Sequence, residues 1–229
     1  MAGDDYWIQV AGLAEYRFAL DSVAVYAVAQ GDASAALVEE GFHRIVHPLA
    51  LQLRGYEVLH ASAVILPAGI AALCGVSGTG KSSLAYALMQ RGYPPVADDA
   101  LVVRPGEDTP SVEFVPFTLK VVPSAKNALV SLSARPSEQD RLAAIFLLAR
   151  DESVAGPVVE RVPPSQAFTR LLEHGYGFTL ADSARTRSMM ESYLRLAETV
   201  PVLDLRFRTD FSGMPQLADA VVSAVEAES

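Results

Sequence analysis

Residues 74–88 read CGVSGTGKSSLAYAL. Gly75, Gly80, Lys81 and Ser82 satisfy the pattern G-x-x-x-x-G-K-[ST]. The flanks add weight to it. The apolar run IAALC at 70–74 predicts a strand in front, and SSLAYALMQRG at 82–92 predicts a helix behind. Glycines let such a loop curl until successive N–H groups point inward, and the helix start adds a favourable dipole, so the loop suits phosphate oxygens. Lys81 is expected to reach the β- and γ-phosphates of a nucleotide, and the Ser82 hydroxyl to ligate Mg²⁺.

Working outward, ASAVILPAGIAALCG at 61–75 is too short to cross a membrane and is cut by Pro67 and Gly69, which predicts two strands joined by a tight turn. Downstream, PPVADDALVV carries adjacent carboxylates, Asp98 and Asp99, at the end of a short apolar run. At a strand end the chain can turn both toward the glycine loop, one to complete a Mg²⁺ shell and the other to accept a proton from an attacking hydroxyl. Upstream, His60 precedes the first strand of the pair.

Of the rest, residues 1 to about 35 alternate apolar and polar residues as short strands do, and SAALVEEGFHRIVHPLALQLR at 34–54 carries helical spacing into Pro48. Beyond the aspartates, strands are predicted at AAIFLLA (143–149) and VPVLDLRF (200–207), and helices at 165–175, 183–198 and 214–227. The expected class is α/β, with an N-terminal β-rich lobe bearing one helix over 1–56 and a nucleotide-binding domain over 57–229.

Composition limits the partners. The 229 residues include 51% hydrophobic and 20% charged residues, enough to bury a substantial core. A formal net charge of −9 without a dense Lys/Arg cluster weighs against nucleic acid. The single cysteine, Cys74, has no partner for an internal disulfide, and the acidic start MAGDDYWIQV lacks the features of a targeting segment; both point to the cytoplasm, with no membrane partner. A homo-oligomer is left open.

The run from LHASAV through CGVSGTGKSSLAYALMQRGYPPVADDALVV resembles the catalytic domain of bacterial HPr kinase/phosphorylase, with His60, the loop ending Gly80–Lys81–Ser82 and the Asp98–Asp99 pair in that family's order and spacing. The likeness spans roughly residues 57 to 105 and continues more loosely to the C-terminus. It implies a P-loop fold of the HPr kinase/phosphoenolpyruvate carboxykinase type that uses ATP and Mg²⁺ to phosphorylate a serine on a small protein. The larger N-terminal domain of full-length members and their later Gly- and Arg-rich segment have no counterpart here, which leaves the reverse phosphorolysis open. In length, in LRGYEVLHASAV and in FVPFTLKVVPSAK, the chain resembles the shorter HPr-kinase-related group. Some of these lie beside lasso-peptide genes and phosphorylate the precursor's C-terminal serine.

Carried to matching positions, the resemblance implies phosphate and Mg²⁺ contacts for Gly75, Ser77, Gly78, Thr79, Gly80, Lys81, Ser82 and Ser83. It makes Asp98 the candidate general base, Asp99 the metal-shell carboxylate and His60 an orienting group, with the order of the two aspartates open to reversal. Arg170, Arg185, Arg187 and Arg195 are candidates for a further cation at the γ-phosphate, and Lys120 and Lys126 for acceptor binding. The function expected is an ATP-dependent kinase acting on a serine of a peptide or small protein; a small-metabolite kinase and an ATPase switch without an acceptor are the alternatives.

Overall fold

A computed structural model describes residues 5–19, 24–104, 106, 109–115, 117–119, 128–130, 140–176, 183–208 and 213–228. The chain opens with β1 (Asp5–Val10), β2 (Ala14–Ala19) and β3 (Val25–Ala29), an antiparallel sheet in sequence order. Helix α1 (Ala35–Gly41) follows, capped by the Ser34 hydroxyl, which accepts from the Leu37 N–H at 3.4 Å.

The helical spacing at 34–54 is realised in pieces, with a π-helical turn (Phe42–Val46) between α1 and α2 (His47–Leu53). Pro48 stands in the first turn of α2. It has no N–H to continue a regular ladder from α1, so the helix restarts there, and the wider turn absorbs the mismatch. Tyr16 and Phe18 of β2 pack with Val46 and Ala50 into a small core beneath these helices.

Next come β4 (Glu57–Leu59), β5 (Ala61–Leu66), β6 (Gly69–Cys74), α3 (Lys81–Gln90), β7 (Pro95–Ala97), β8 (Leu101–Arg104) and β9 (Ser111–Glu113). The chain continues through β10 (Phe117–Leu119), β11 (Ala128–Val130), β12 (Leu142–Arg150), β13 (Val158–Arg161), α4 (Pro164–Leu172), α5 (Ser183–Thr199), β14 (Val202–Phe207) and α6 (Met214–Ala227).

The main sheet has the order β13-β14-β12-β6-β5-β7. Its centre, β6-β12-β14, is parallel, while β5, β7 and β13 join antiparallel to their neighbours. The tight turn at Pro67 forces β5 to pair antiparallel with β6. Gly69 takes φ +129° there, and a Cβ would lie 2.8 Å from the Arg141 carbonyl oxygen.

Alternate side chains of the sheet feed two cores. Val64, Leu66, Ala71, Leu73, Ala144 and Phe146 pack against Leu84 and Leu88 of α3 and Leu217 and Val221 of α6. Ala61, Ala63, Ile70, Ala72 and Ile145 face Ala167 and Leu171 of α4 and Tyr193 and Leu196 of α5. The result is a mixed α/β structure of three layers, with a second antiparallel sheet, β4-β8-β9, alongside. Among the described residues, no helix is long and apolar enough to cross a membrane.

One charge pair is buried in this frame. Arg185 of α5 meets Glu57 of β4 at 3.1 Å, with side-chain exposures of 11% and 3%, and donates to the Tyr56 carbonyl at 2.9 Å. Burial pushes the Glu57 carboxyl from its ordinary 4.5 up to about 7, against the pull of Arg185 and a Ser192 hydrogen bond. A carboxyl whose folded pKa is raised adds stability in acid, and that contribution is lost as pH rises from the unfolded value through about 7. The wild-type melting temperature should therefore fall more steeply between about pH 5 and pH 7.5 than that of Glu57→Gln. Parallel melting curves of the two proteins across that range would contradict the buried-carboxyl account.

Candidate functional site

Strand β6 delivers the chain to Gly75 at its C-terminal edge, where ligand crevices of α/β sheets form. A Cβ on Gly75 would meet the Leu148 carbonyl oxygen of β12 at 3.2 Å, so the loop leaves pressed against the neighbouring parallel strand. Gly78 and Gly80 take φ of +81° and +119°, and a Cβ on either would have nothing within 4 Å. The requirement for glycine at these two positions is thus conformational, with open space beside them. Helix α3 begins at Lys81 with no side-chain cap.

The arginine that ends β12 holds the loop from outside. Arg150 donates from Nη2 to the Gly78 carbonyl at 2.6 Å and from Nε to the Thr79 carbonyl at 3.2 Å. Lys81, 6% exposed, donates Nζ to the carbonyls of Gly75 at 2.8 Å and Val76 at 3.4 Å. Desolvation lowers the Lys81 pKa, partly offset by Asp99, Cys74 and Asp98.

The two aspartates have different surroundings. Asp98, buried at the end of β7, accepts through Oδ1 from the Ser82 hydroxyl of α3 at 2.7 Å and from the buried Ser62 hydroxyl of β5 at 2.6 Å. Asp99 is the residue other than glycine with positive φ among the described residues, at +68°. Its Oδ2 accepts from Arg44 of the π-helical turn at 3.2 Å, and its backbone carbonyl accepts from the Tyr176 hydroxyl at 3.1 Å.

His60 is joined to the segment after α4, its N–H donating to the His174 carbonyl at 2.7 Å, and its ring stacks with Tyr176 at 6.2 Å. Burial lowers the pKa of both His60 and His174, and Lys81 lowers each further.

Two grooves are lined by residues of this region. One, about 470 Å³, runs beside Gly75, Gly78, Thr79, Arg150, Arg170 and His174. The other, about 520 Å³, is lined by Leu13, Leu37, Arg44, Ile45, His60 and Asp99 among others. Of the four helical arginines singled out in the sequence, Arg170 lines the first groove and is ion-paired with Asp204, Arg185 serves the Glu57 pair, and Arg187 and Arg195 are exposed. Ser77 is exposed and Ser83 half-buried. Lys120 and Lys126 lie outside the described residues.

No family model and no curated protein matches the chain. Among solved structures similar to it is the HPr(Ser) kinase/phosphatase from Coxiella burnetii, at 12% identity and a TM-score of 0.43, covering 75% of this chain and 99% of that one. So loose a superposition carries no residue roles across, and the chemistry is read from this chain's own geometry.

Sequence reasoning missed Ser62, Arg150, Arg44, His174 and Tyr176. Arg150 left a signal, as a cation closing a long apolar run at the C-terminal edge of a strand. Arg44 and Tyr176 reach Asp99 from positions 55 and 77 residues away, and nothing local marks them. Removing the Ser62 hydroxyl deprives a buried carboxylate of a donor, so Ser62→Ala should destabilise the protein by about 1.5–3 kcal/mol. Thermal unfolding checks this, and an unchanged melting temperature would argue against the buried bond.

Proposed function

We propose that this chain is an ATP- and Mg²⁺-dependent phosphotransferase with the P-loop fold of the HPr kinase type, acting on a serine hydroxyl of a peptide or small protein. Residues 57–229 form its kinase unit and residues 1–56 a lobe beside the acceptor. The single observation that carries this is the Ser82–Asp98 hydrogen bond, a carboxylate on the first-turn hydroxyl of the helix behind a glycine loop.

The fit to the ligands rests on the donor set. Gly78 and Gly80 leave open space beside backbone amides, and the α3 N-terminus lacks a side-chain cap, which suits phosphate oxygens. The Ser82 hydroxyl and the Asp98 carboxylate are hard oxygen donors of the kind Mg²⁺ takes alongside nucleotide phosphates. Bound ATP–Mg²⁺ supplies the γ-phosphoryl group and neutralises part of its charge.

The chain's residues then divide the work. Ser82 and Asp98 hold the metal side, the reverse of the order first taken from the family resemblance. Asp99, half-exposed and facing the second groove, accepts the proton of the acceptor hydroxyl. Lys81 leaves its two carbonyls to give its charge to the transferring group, and Arg170, in the nucleotide groove, is the helical arginine suited to assist. His60, stacked on Tyr176, orients the Asp99 side of the site. Phosphoryl transfer asks mainly for positioning and charge neutralisation, so these groups suffice. The C-terminal serine of a lasso-peptide precursor is the most specific version of the acceptor.

Lys81→Ala should abolish transfer with little loss of melting temperature. Asp99→Asn should lower kcat by about 10²–10⁴ while ATP–Mg²⁺ still binds, whereas Asp98→Asn should chiefly raise the Mg²⁺ concentration required. Mass spectrometry of a serine peptide incubated with ATP and Mg²⁺ reads the transfer. Full transfer by Lys81→Ala would overturn the kinase assignment. Steady ATP hydrolysis with no acceptor modified would favour a switch, and phosphorylation of a hydroxylated metabolite alone a small-molecule kinase.

A further inference from the structure

The second groove has a composition that bears on what it can hold. Leu37 on α1 and Ile45 on the π-helical turn are 52% and 43% exposed along its wall, and Leu13 and Tyr176 complete its apolar surface. Its charged residues are Glu40, Arg44 and Asp99. Arg44 bridges the other two, at 3.5 Å to Glu40 and 3.2 Å to Asp99, so its one positive charge faces two negative ones. An acidic acceptor would therefore meet net repulsion, and a polyol would find a wall of aliphatic carbon where it needs hydrogen-bond partners. An apolar side chain next to a hydroxyl meets neither obstacle. The groove's volume of about 520 Å³ lies in the range of sites that hold a few residues or a small ligand.

We propose that this groove is the acceptor subsite and that it takes a peptide segment in which the residue beside the serine is aliphatic or aromatic rather than aspartate or glutamate. The inference rests on the assignment of Asp99 as the base, because that assignment makes the groove ending at Asp99 the acceptor side. The serine hydroxyl then reaches Asp99 while its apolar neighbour lies on Leu37 and Ile45. Arg44 acts as a positioning residue. It comes from the N-terminal helices and holds the Asp99 carboxylate at the end of the groove.

The test uses the full chain, ATP–Mg²⁺ and three synthetic octapeptides that differ only in the residue beside one serine, which is leucine, serine or aspartate, with glycerol as a polyol control. The leucine peptide should be phosphorylated with a kcat/KM about tenfold or more above the aspartate peptide, the scale of burying one aliphatic side chain. Leu37→Glu and Ile45→Glu, both at exposed positions, should raise KM for the leucine peptide about tenfold while leaving kcat and the KM for ATP near wild type. Leu37→Lys should shift preference toward the aspartate peptide, a gain that a destabilised variant would not show. Equal use of all three peptides, or a KM unmoved by both glutamate variants, would overturn the subsite while leaving the phosphotransferase intact. ATP turnover with no peptide and no glycerol modified would overturn both.

Discussion

A buried carboxylate between two serine hydroxyls holds the centre of this molecule together. Asp98 ends β7, Ser62 lies in β5 and Ser82 opens α3, and both hydroxyls reach the same oxygen within 2.7 Å. β7 is a three-residue strand at the edge of the sheet, and its ladder alone would fix its end poorly. The charge-assisted hydrogen bonds supply what the ladder lacks. They set the helix start, the strand end and the sheet face in one geometry, so the glycine loop between β6 and α3 is constrained at both ends. Arg150 adds a third restraint by gripping the loop's outward carbonyls.

From that anchor follows the different fate of the next residue. With Asp98 committed to the Ser62 and Ser82 hydroxyls, Asp99 takes up the left-handed region, a conformation that costs a residue other than glycine free energy and persists only where the surroundings hold it. Aspartate tolerates that region better than most residues. Tyr176 on the backbone carbonyl and Arg44 on the carboxylate keep it there. The strain is therefore held by residues from the helical turns before β4 and from the segment after α4, and the site is complete only when those distant parts of the chain have docked.

The distribution of information along the chain explains what could be read from it in advance. The hairpin at 61–74, the loop, α3 and the strands β12 and β14 announce themselves because each is a local pattern, an apolar run or a glycine cluster with physical meaning at fixed spacing. The single helix expected over 34–54 proved to be two helices around a π-helical turn, because helical periodicity does not register one extra residue in a turn. The adjacent aspartates were visible, but their partners were not, since Ser62, Arg44 and Tyr176 meet them only through tertiary packing. Arg185, which looked like a candidate for phosphate, is held by Glu57 inside the core, a pairing that residue type alone does not disclose.

The posture of Lys81 has a consequence for selectivity among anions. Its ammonium already has two acceptors, the carbonyls of Gly75 and Val76. An ion that offers it no better coordination gains little from displacing them, since each such bond is worth a net of only about 0.5–1.5 kcal/mol and the exchange is nearly even. The loop thus has an occupancy threshold set within its own backbone. On the proposed nucleotide-binding reading, a simple monoanion would fall below it, and a polyphosphate, by engaging several amides at once with the lysine as one contact among many, would rise above it.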